Sequence, residues 1–198
     1  RTKADAKVLL FSDIRKLYAH FSCKNLYFFL KSSTFAPTIA KKMKITLLVV
    51  GKTTDPRLQA LIDEYRQRLT HYISFDMVVI PELKNAKSLT QEQQKQAEGE
   101  LILKTIAPAT DLILLDEHGT EFRSIEFAQY LQKKMSMGRD VVLVVGGPYG
   151  FSPAVYARTN GKISLSQMTF SHQMIRLLFV EQIYRAMTIL RGEPYHHE

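Results

Sequence analysis

The sequence predicts one α/β domain with a parallel sheet, beginning near Met43. Apolar strand-like runs alternate with amphipathic helical stretches, which is the pattern of a parallel sheet covered by helices. Residues 140–145 hold five branched apolar residues in six positions, typical of a strand buried on both faces. No internal repeat, low-complexity segment or second domain follows Met43, and the chain of 198 residues is long enough for a substantial core.

The first half of the domain contains two strands and two helices. Lys44–Val50 is a clean strand, and Asp55-Pro56 supplies an N-cap with proline at the first helical position. That helix is predicted to run to about residue 71, and residues 76–80 form the second strand. Thr90 to Gln93 fits a capping box, which opens a helix to about residue 106.

The middle of the domain continues the alternation. Residues 111–116 are predicted as the third strand, and Ser124 begins a helix that Gly138 closes as its C′ residue. The buried strand at 140–145 is the fourth. Ser152-Pro153 then begins a short helix.

The last helix is predicted from about His172 to Leu190 and is apolar nearly all round. Only a narrow strip, with Glu181, Arg185 and Thr188, is polar. Because such a helix must be buried nearly all round, we expect a second subunit to cover one side of it. Glu181 and Arg185 stand four residues apart in the favourable order for an ion pair.

The ligand site is predicted after the fourth strand, at residues 146–150. Glycines there let a ligand approach the backbone, and ligands of open α/β sheets bind at the carboxyl ends of strands. The pattern is not Gly-x-Gly-x-x-Gly, which argues against a dinucleotide fold, and a simple tight turn is an equal alternative. Residues 165–170 alternate polar and apolar side chains and could cup an apolar ring. Gly51-Lys-Thr is not a phosphate-binding loop, because Thr46 stands where that motif needs glycine.

The net charge of +8 is concentrated in residues 1–42, which carry nine basic and two acidic residues. Residues 1–42 are expected to be an extension outside the domain, either non-native or disordered. A translated upstream stretch or non-native sequence is favoured over an accessory RNA-binding arm. After residue 155, a small basic patch would suit a phosphate-bearing partner, although ordinary surface charge is an equal alternative. Its members are Arg158, Lys162, Arg176, Arg185 and Arg191.

Cysteine and histidine usage points to a reducing, cytoplasmic setting without a metal. Cys23 is the only cysteine, so no intrachain disulfide or cysteine-based metal site is expected. No apolar run approaches the roughly 20 residues that span a membrane. His118 and His172 could be general bases or ligands, but surface or capping histidines are favoured. His196-His197 has no second pair at ligand spacing.

The stretch from Met43 to Glu198 resembles the RlmH family, small ribosomal RNA methyltransferases of the SPOUT class. The matching motifs are residues 43–51, Leu115-Asp116 with Gly119, and Val145-Gly-Gly-Pro-x-Gly150. The most specific are residues 165–174 (LSQMTFSHQM), Glu181-Gln-x-Tyr-Arg-Ala186 and residues 191–197 (RGEPYHH).

The resemblance implies a trefoil-knotted α/β fold, a homodimer with the active site at the subunit interface, and methylation of N3 of a pseudouridine in 23S ribosomal RNA. It implies S-adenosylmethionine as cofactor and no metal. Ser171 stands where the family usually has proline, and Tyr149 where it has an acidic residue or asparagine. The cofactor contacts fall on Leu115, Gly146, Leu165, Ser166, Gln167, Met168, Thr169 and Phe170.

Catalytic roles are expected for Tyr195, His196 and Arg185, and substrate contacts for Arg176 and His172. The N3 imide must lose a proton before it can attack a methyl group, so a base or an anion stabiliser is required. Arg176 or Arg185 could stabilise the anion, His196 is an available imidazole, and Tyr195 could stack on the base. The alternatives are a SPOUT methyltransferase acting on another RNA, such as transfer RNA, and a non-catalytic RNA- or nucleotide-binding module.

Overall fold

The computed structural model describes residues 43–84 and 86–197. The expected extension at residues 1–42 lies outside the described residues.

The core of the protein is a five-stranded parallel sheet. In chain order the strands are β1 (Lys44–Val50), β2 (Ser74–Ile80), β3 (Asp111–Glu121), β4 (Val141–Val145) and β5 (Gly161–Ser164). They lie in the order β2-β1-β4-β3-β5, and each neighbouring pair is parallel. The central position of β4 explains its almost unbroken apolar sequence, because both of its faces are covered.

Within the described residues, five α-helices cover the two faces of the sheet. They are α1 (Pro56–Leu69), α2 (Gln91–Thr105), α3 (Ser124–Ser136), α4 (Pro153–Arg158) and α5 (Met174–Arg191). Helices α1, α3 and α5 pack over one face in the larger apolar cluster. Helices α2 and α4 cover the other face, where Ile102 and Val155 pack against Leu48, Leu114 and Val144.

The predicted helix caps are confirmed. Asp55 accepts a hydrogen bond from the Arg57 backbone N–H, ahead of Pro56. Thr90 and Gln93 form a reciprocal capping box. Gly138 follows α3 with φ of 67°. These signals are local in sequence, so they could be predicted without tertiary contacts.

Two element boundaries differ from the prediction, and one strand is additional. The third strand does not stop at residue 116 but runs to Glu121, and β5 is an additional strand. Beyond Leu115 the register between β3 and β5 shifts, so that Thr120 also pairs with Ile163. The end of β3 is charged and exposed, and it is a strand only because β5 pairs with it. Helix α5 begins at Met174 rather than near residue 172.

Thr188 does not belong to an exposed polar strip. Its side chain is fully buried, and its hydroxyl donates to the Arg185 carbonyl at 2.8 Å. Among the described residues, no helix is both long and apolar enough to span a membrane.

Candidate active site

A cavity of about 550 Å³ opens at the carboxyl ends of β3, β4 and β5. Its walls come from three chain segments, at residues 115–118, 145–151 and 163–172, with Tyr156 and Ile175 completing the lining. The volume lies within the range of small-molecule and cofactor sites. All the predicted cofactor residues except Gln167 line it, as does His172.

The glycine turn after β4 forms one wall of the cavity. The Gly150 N–H donates to the Gly147 carbonyl at 3.2 Å, and Gly150 has φ of 81°, a conformation that favours glycine. A Cβ on Gly146 would lie 3.1 Å from the ring of Phe151. A larger residue at position 146 would therefore press on a ring that itself lines the cavity.

The loop after β5 forms the opposite wall. The Ser164 hydroxyl donates to the Ser166 carbonyl at 2.9 Å, and the Ser166 hydroxyl accepts from the Met168 N–H at 2.9 Å. These bonds fold the loop back on itself and leave the Met168 side chain 73% exposed. Ser171 Oγ accepts from the Met174 N–H at 3.2 Å. Ser171 therefore binds the first residue of α5 from the preceding turn, while the N-cap position itself is Gln173.

Asp116 and Tyr156 form a polar corner of the cavity. The Asp116 carboxylate accepts from the Tyr156 hydroxyl and, at 2.8 Å, from the His118 N–H. Burial, followed by this hydrogen bond, raises the pKa of Tyr156. Neither residue was among the predicted site residues. The place of Asp116 at the end of the predicted third strand was a usable signal, whereas no local pattern marks Tyr156.

Arg176 lies inside the protomer, away from the cavity lining. Its side chain is fully buried. Its guanidinium donates to the carbonyls of Val50 at 2.6 Å and Gly51 at 2.9 Å, and to Thr53 Oγ1 at 3.2 Å. It therefore holds the end of β1 against α5. Its expected substrate contact stays a prediction, and such a contact would require Arg176 to leave these partners.

The C-terminal tail is packed against α1 and α5. Gly192 ends α5 in the left-handed region with φ of 69°. The Tyr195 hydroxyl donates to Glu181 Oε1 at 3.0 Å and lies 3.3 Å from the Tyr65 hydroxyl. Its ring packs edge-on against Tyr184 at 4.9 Å. Burial, together with the hydrogen bonds to Tyr65 and Glu181, raises the pKa of Tyr195.

The predicted catalytic residues do not line the cavity. Arg185 pairs with Glu181 at 2.7 Å and places its guanidinium 4.8 Å from the centre of the Tyr195 ring. His196 instead lines a second, open depression at the start of α3. The structure therefore brings the cofactor residues and His172 together in one place, and Tyr195 and Arg185 in another.

The five residues of the predicted basic patch do not form a wall of the cavity. None of its five residues lines the cavity. Arg158 donates to the carbonyls of Pro108 and Thr110, and Arg191 donates to the carbonyl of His71. Counting charges along the sequence could not separate these structural arginines from ones that face a ligand.

The cavity suits a ligand with a flat apolar ring and several polar groups. Leu115, Met168 and Phe170 supply apolar surface, and the two loops present backbone groups and hydroxyls. The glycine turn leaves room for a close approach of ligand to backbone.

Comparison with known proteins identifies the class. A family model described as "Predicted SPOUT methyltransferase" matches residues 43–196. The chain therefore belongs to the SPOUT methyltransferase family, in agreement with its parallel α/β sheet.

Close relatives narrow the family further. The chain is 60% identical over 157 residues to a ribosomal RNA large subunit methyltransferase H of Phocaeicola vulgatus, a match covering 79% of this chain and 100% of the relative. It is 62% identical, with the same coverage, to the protein of that name from Bacteroides thetaiotaomicron. A solved probable methyltransferase from Bordetella pertussis is 12% identical with a TM-score of 0.45, over 73% of this chain and 95% of that one. The chain is a member of the ribosomal RNA large subunit methyltransferase H family.

Proposed function

We propose that this enzyme uses S-adenosylmethionine to methylate N3 of a pseudouridine in 23S ribosomal RNA, without a metal and in the cytoplasm. The observation that carries the proposal is the cavity itself, because seven of the eight expected cofactor residues line it. The relatives named ribosomal RNA large subunit methyltransferase H support the substrate class.

The bound cofactor would supply an electrophilic methyl group on a sulfonium. The residues of the chain then have two tasks, which are to hold the base in line with that methyl group and to remove the N3 proton or stabilise the anion that its loss leaves. His172 lies at the cavity and could contact the RNA. Tyr195 offers a ring for stacking, His196 an imidazole as proton acceptor, and Arg185 a positive charge for the anion.

The proposed enzyme is a homodimer in which the tail of one subunit completes the cavity of the other. Within one protomer, Tyr195, His196 and Arg185 are not part of the cavity lining. The apolar side chains of Met168, Phe170 and Met174 remain exposed at 73%, 37% and 40%. A second subunit over this surface would bury them and could bring its own tail to the site.

A trefoil knot is the expected topology of the C-terminal half. Gly119 supports a tight crossing there, because a Cβ at that position would lie 2.4 Å from the backbone of Ile163. Without a side chain, the end of β3 can approach β5 this closely.

The test of the proposed function is methyl transfer from labelled S-adenosylmethionine to ribosomes that lack the modification, with transfer RNA as a parallel substrate. The expected label is in 23S RNA and co-migrates with N3-methylpseudouridine after digestion to nucleosides. Label in transfer RNA would favour the other enzymatic alternative. Cofactor binding without transfer to either RNA would favour a non-catalytic RNA-binding module.

A further inference from the structure

Helix α2 lies directly behind the glycine turn of the cavity. A Cβ on Gly147 would lie 2.3 Å from Glu98 Oε2, and a Cβ on Gly99 would lie 2.2 Å from the Ser152 hydroxyl oxygen. Glu98 and Gly99, which are adjacent in α2, therefore contact the two ends of the segment from Gly147 to Ser152. Since Gly147 also lines the cavity, the backbone of one glycine separates the Glu98 carboxylate from the ligand space.

Glu98 is a carboxylic acid in a buried position behind the glycine turn, where charged residues are rare. Its side chain is 5% exposed, and it forms no ion pair within the described part of the chain. Gln94 Nε2 donates to its Oε1 at 3.0 Å. Burial raises the pKa of Glu98, an effect that the hydrogen bond from Gln94 and the proximity of His172 oppose and that Glu82 reinforces. A buried carboxylate without a cationic partner is costly, so a cationic ligand nearby would offset part of that cost.

We propose that Glu98 makes the cavity prefer the cationic cofactor over its neutral product. This proposal rests on the proposed use of S-adenosylmethionine. The cofactor and S-adenosylhomocysteine share the adenosine and amino-acid parts and differ by one methyl group and the sulfonium charge. A negative charge behind Gly147 stabilises the sulfonium and does nothing comparable for a thioether. The preference would help the enzyme release the product in the presence of fresh cofactor.

The ratio of two dissociation constants, for S-adenosylhomocysteine and for S-adenosylmethionine, isolates this effect. At pH 8 we expect Glu98→Gln to lower that ratio by at least about tenfold, since two unit charges within about 12 Å of each other interact by at least roughly that factor at an effective dielectric constant of about 20. Calorimetry on the dimer measures both constants without any RNA. If Glu98 only braced the turn, both ligands would weaken together and the ratio would stay the same.

The pH dependence supplies a second test that needs no substitution. Because the pKa of Glu98 is raised, its charge is lost as pH falls through that elevated value. The wild-type ratio should therefore decline as pH is lowered from 8 through that value, whereas the ratio of Glu98→Gln should change less. The other charged groups facing this region, namely Glu82, Asp116, Glu117 and His172, are present in both proteins, so the difference between the two ratios reports on Glu98.

Two matched variants assign the effect to the right carboxylate. Glu98→Asp keeps the charge and should retain most of the wild-type ratio. Asp116→Asn removes a carboxylate that lines the cavity, and a loss of the ratio there but not in Glu98→Gln would overturn the proposal. An unchanged ratio in Glu98→Gln, or a pH-independent wild-type ratio, would also overturn it while leaving the proposed function intact. Failure of the wild type to bind either ligand would overturn both this proposal and the proposed function.

Discussion

Arg176 shows how little a charge on a helix says about its role until its contacts are known. From the sequence, an arginine on α5 beside the expected site is a reasonable RNA contact. In the structure, its guanidinium donates to two strand-end carbonyls and to Thr53. Contacts across 123 to 126 residues of chain cannot be predicted from a local pattern.

Replacing Arg176 with alanine should destabilise the protein by at least about 3 kcal/mol, because several buried acceptors lose their donor. The free energy of unfolding from urea denaturation measures this. His172→Ala is the matched comparison, because His172 is exposed at the cavity and should leave stability nearly unchanged. If Arg176→Ala unfolds at the wild-type urea concentration and only weakens ribosome binding, Arg176 is a substrate contact instead.

Gly119 is a second residue whose role depends on a tertiary approach. A Cβ there would lie 2.4 to 2.7 Å from backbone atoms of Ile163 and Ser164, which cannot move as a side chain would. We expect Gly119→Ala to cost about 2–4 kcal/mol of stability. Gly161→Ala is the control, because its Cβ would meet only the Tyr130 hydroxyl at an ordinary 3.5 Å. Equal thermal melting temperatures of the two variants would argue against the close crossing of β3 and β5.

At the scale of elements, the caps and the buried strands could be predicted and the edge of the sheet could not. Asp55, Thr90 and Gly138 act within a few residues of their own position, so the sequence around them is sufficient. The strand β5 has four residues, and the end of β3 carries charges. Both are strands because they pair with each other, which depends on register rather than composition.

The tail is an element whose fixed position predicts a role in catalysis. Removing residues 195–198 should reduce methyl transfer to ribosomes by at least about two orders of magnitude, since stacking and a positioned proton acceptor are both lost. The affinity for S-adenosylmethionine should change by less than about tenfold, because the expected cofactor residues belong to the cavity lining of one subunit and none of them to the tail. Single-turnover kinetics and calorimetry measure the two quantities.

A milder variant separates the role of the Tyr195 hydroxyl from that of the Tyr195 ring. Tyr195→Phe keeps the ring beside Tyr184 and Arg185 but removes the hydroxyl bonded to Glu181. We expect a loss of about tenfold or less, in line with one hydrogen bond. A truncated dimer that methylates ribosomes at the wild-type rate would show that the tail has no catalytic part.

At the scale of the molecule, the predicted site residues lie in two separate places. The cavity lies at the carboxyl ends of β3, β4 and β5, while Tyr195 and Arg185 lie together over α1 and α5. The sequence motifs named both groups of residues, but the distance between the two groups is a property of the fold. A two-fold symmetric dimer is the simplest arrangement that would bring the tail of one subunit to the cavity of the other, because the same contact then forms at both cavities.

A mixed dimer tests this central claim most directly. One subunit carries Gly146→Val, which presses on Phe151 and should block the cavity, and the other lacks residues 195–198. Each parent homodimer should be at least about 100-fold less active on ribosomes, but the mixed dimer, purified through two different tags, retains one intact cavity and one intact tail. If the tail serves the partner's cavity, the mixed dimer should recover about half of the wild-type rate, with the label in N3-methylpseudouridine. A mixed dimer no more active than its parents would contradict a site assembled from two subunits.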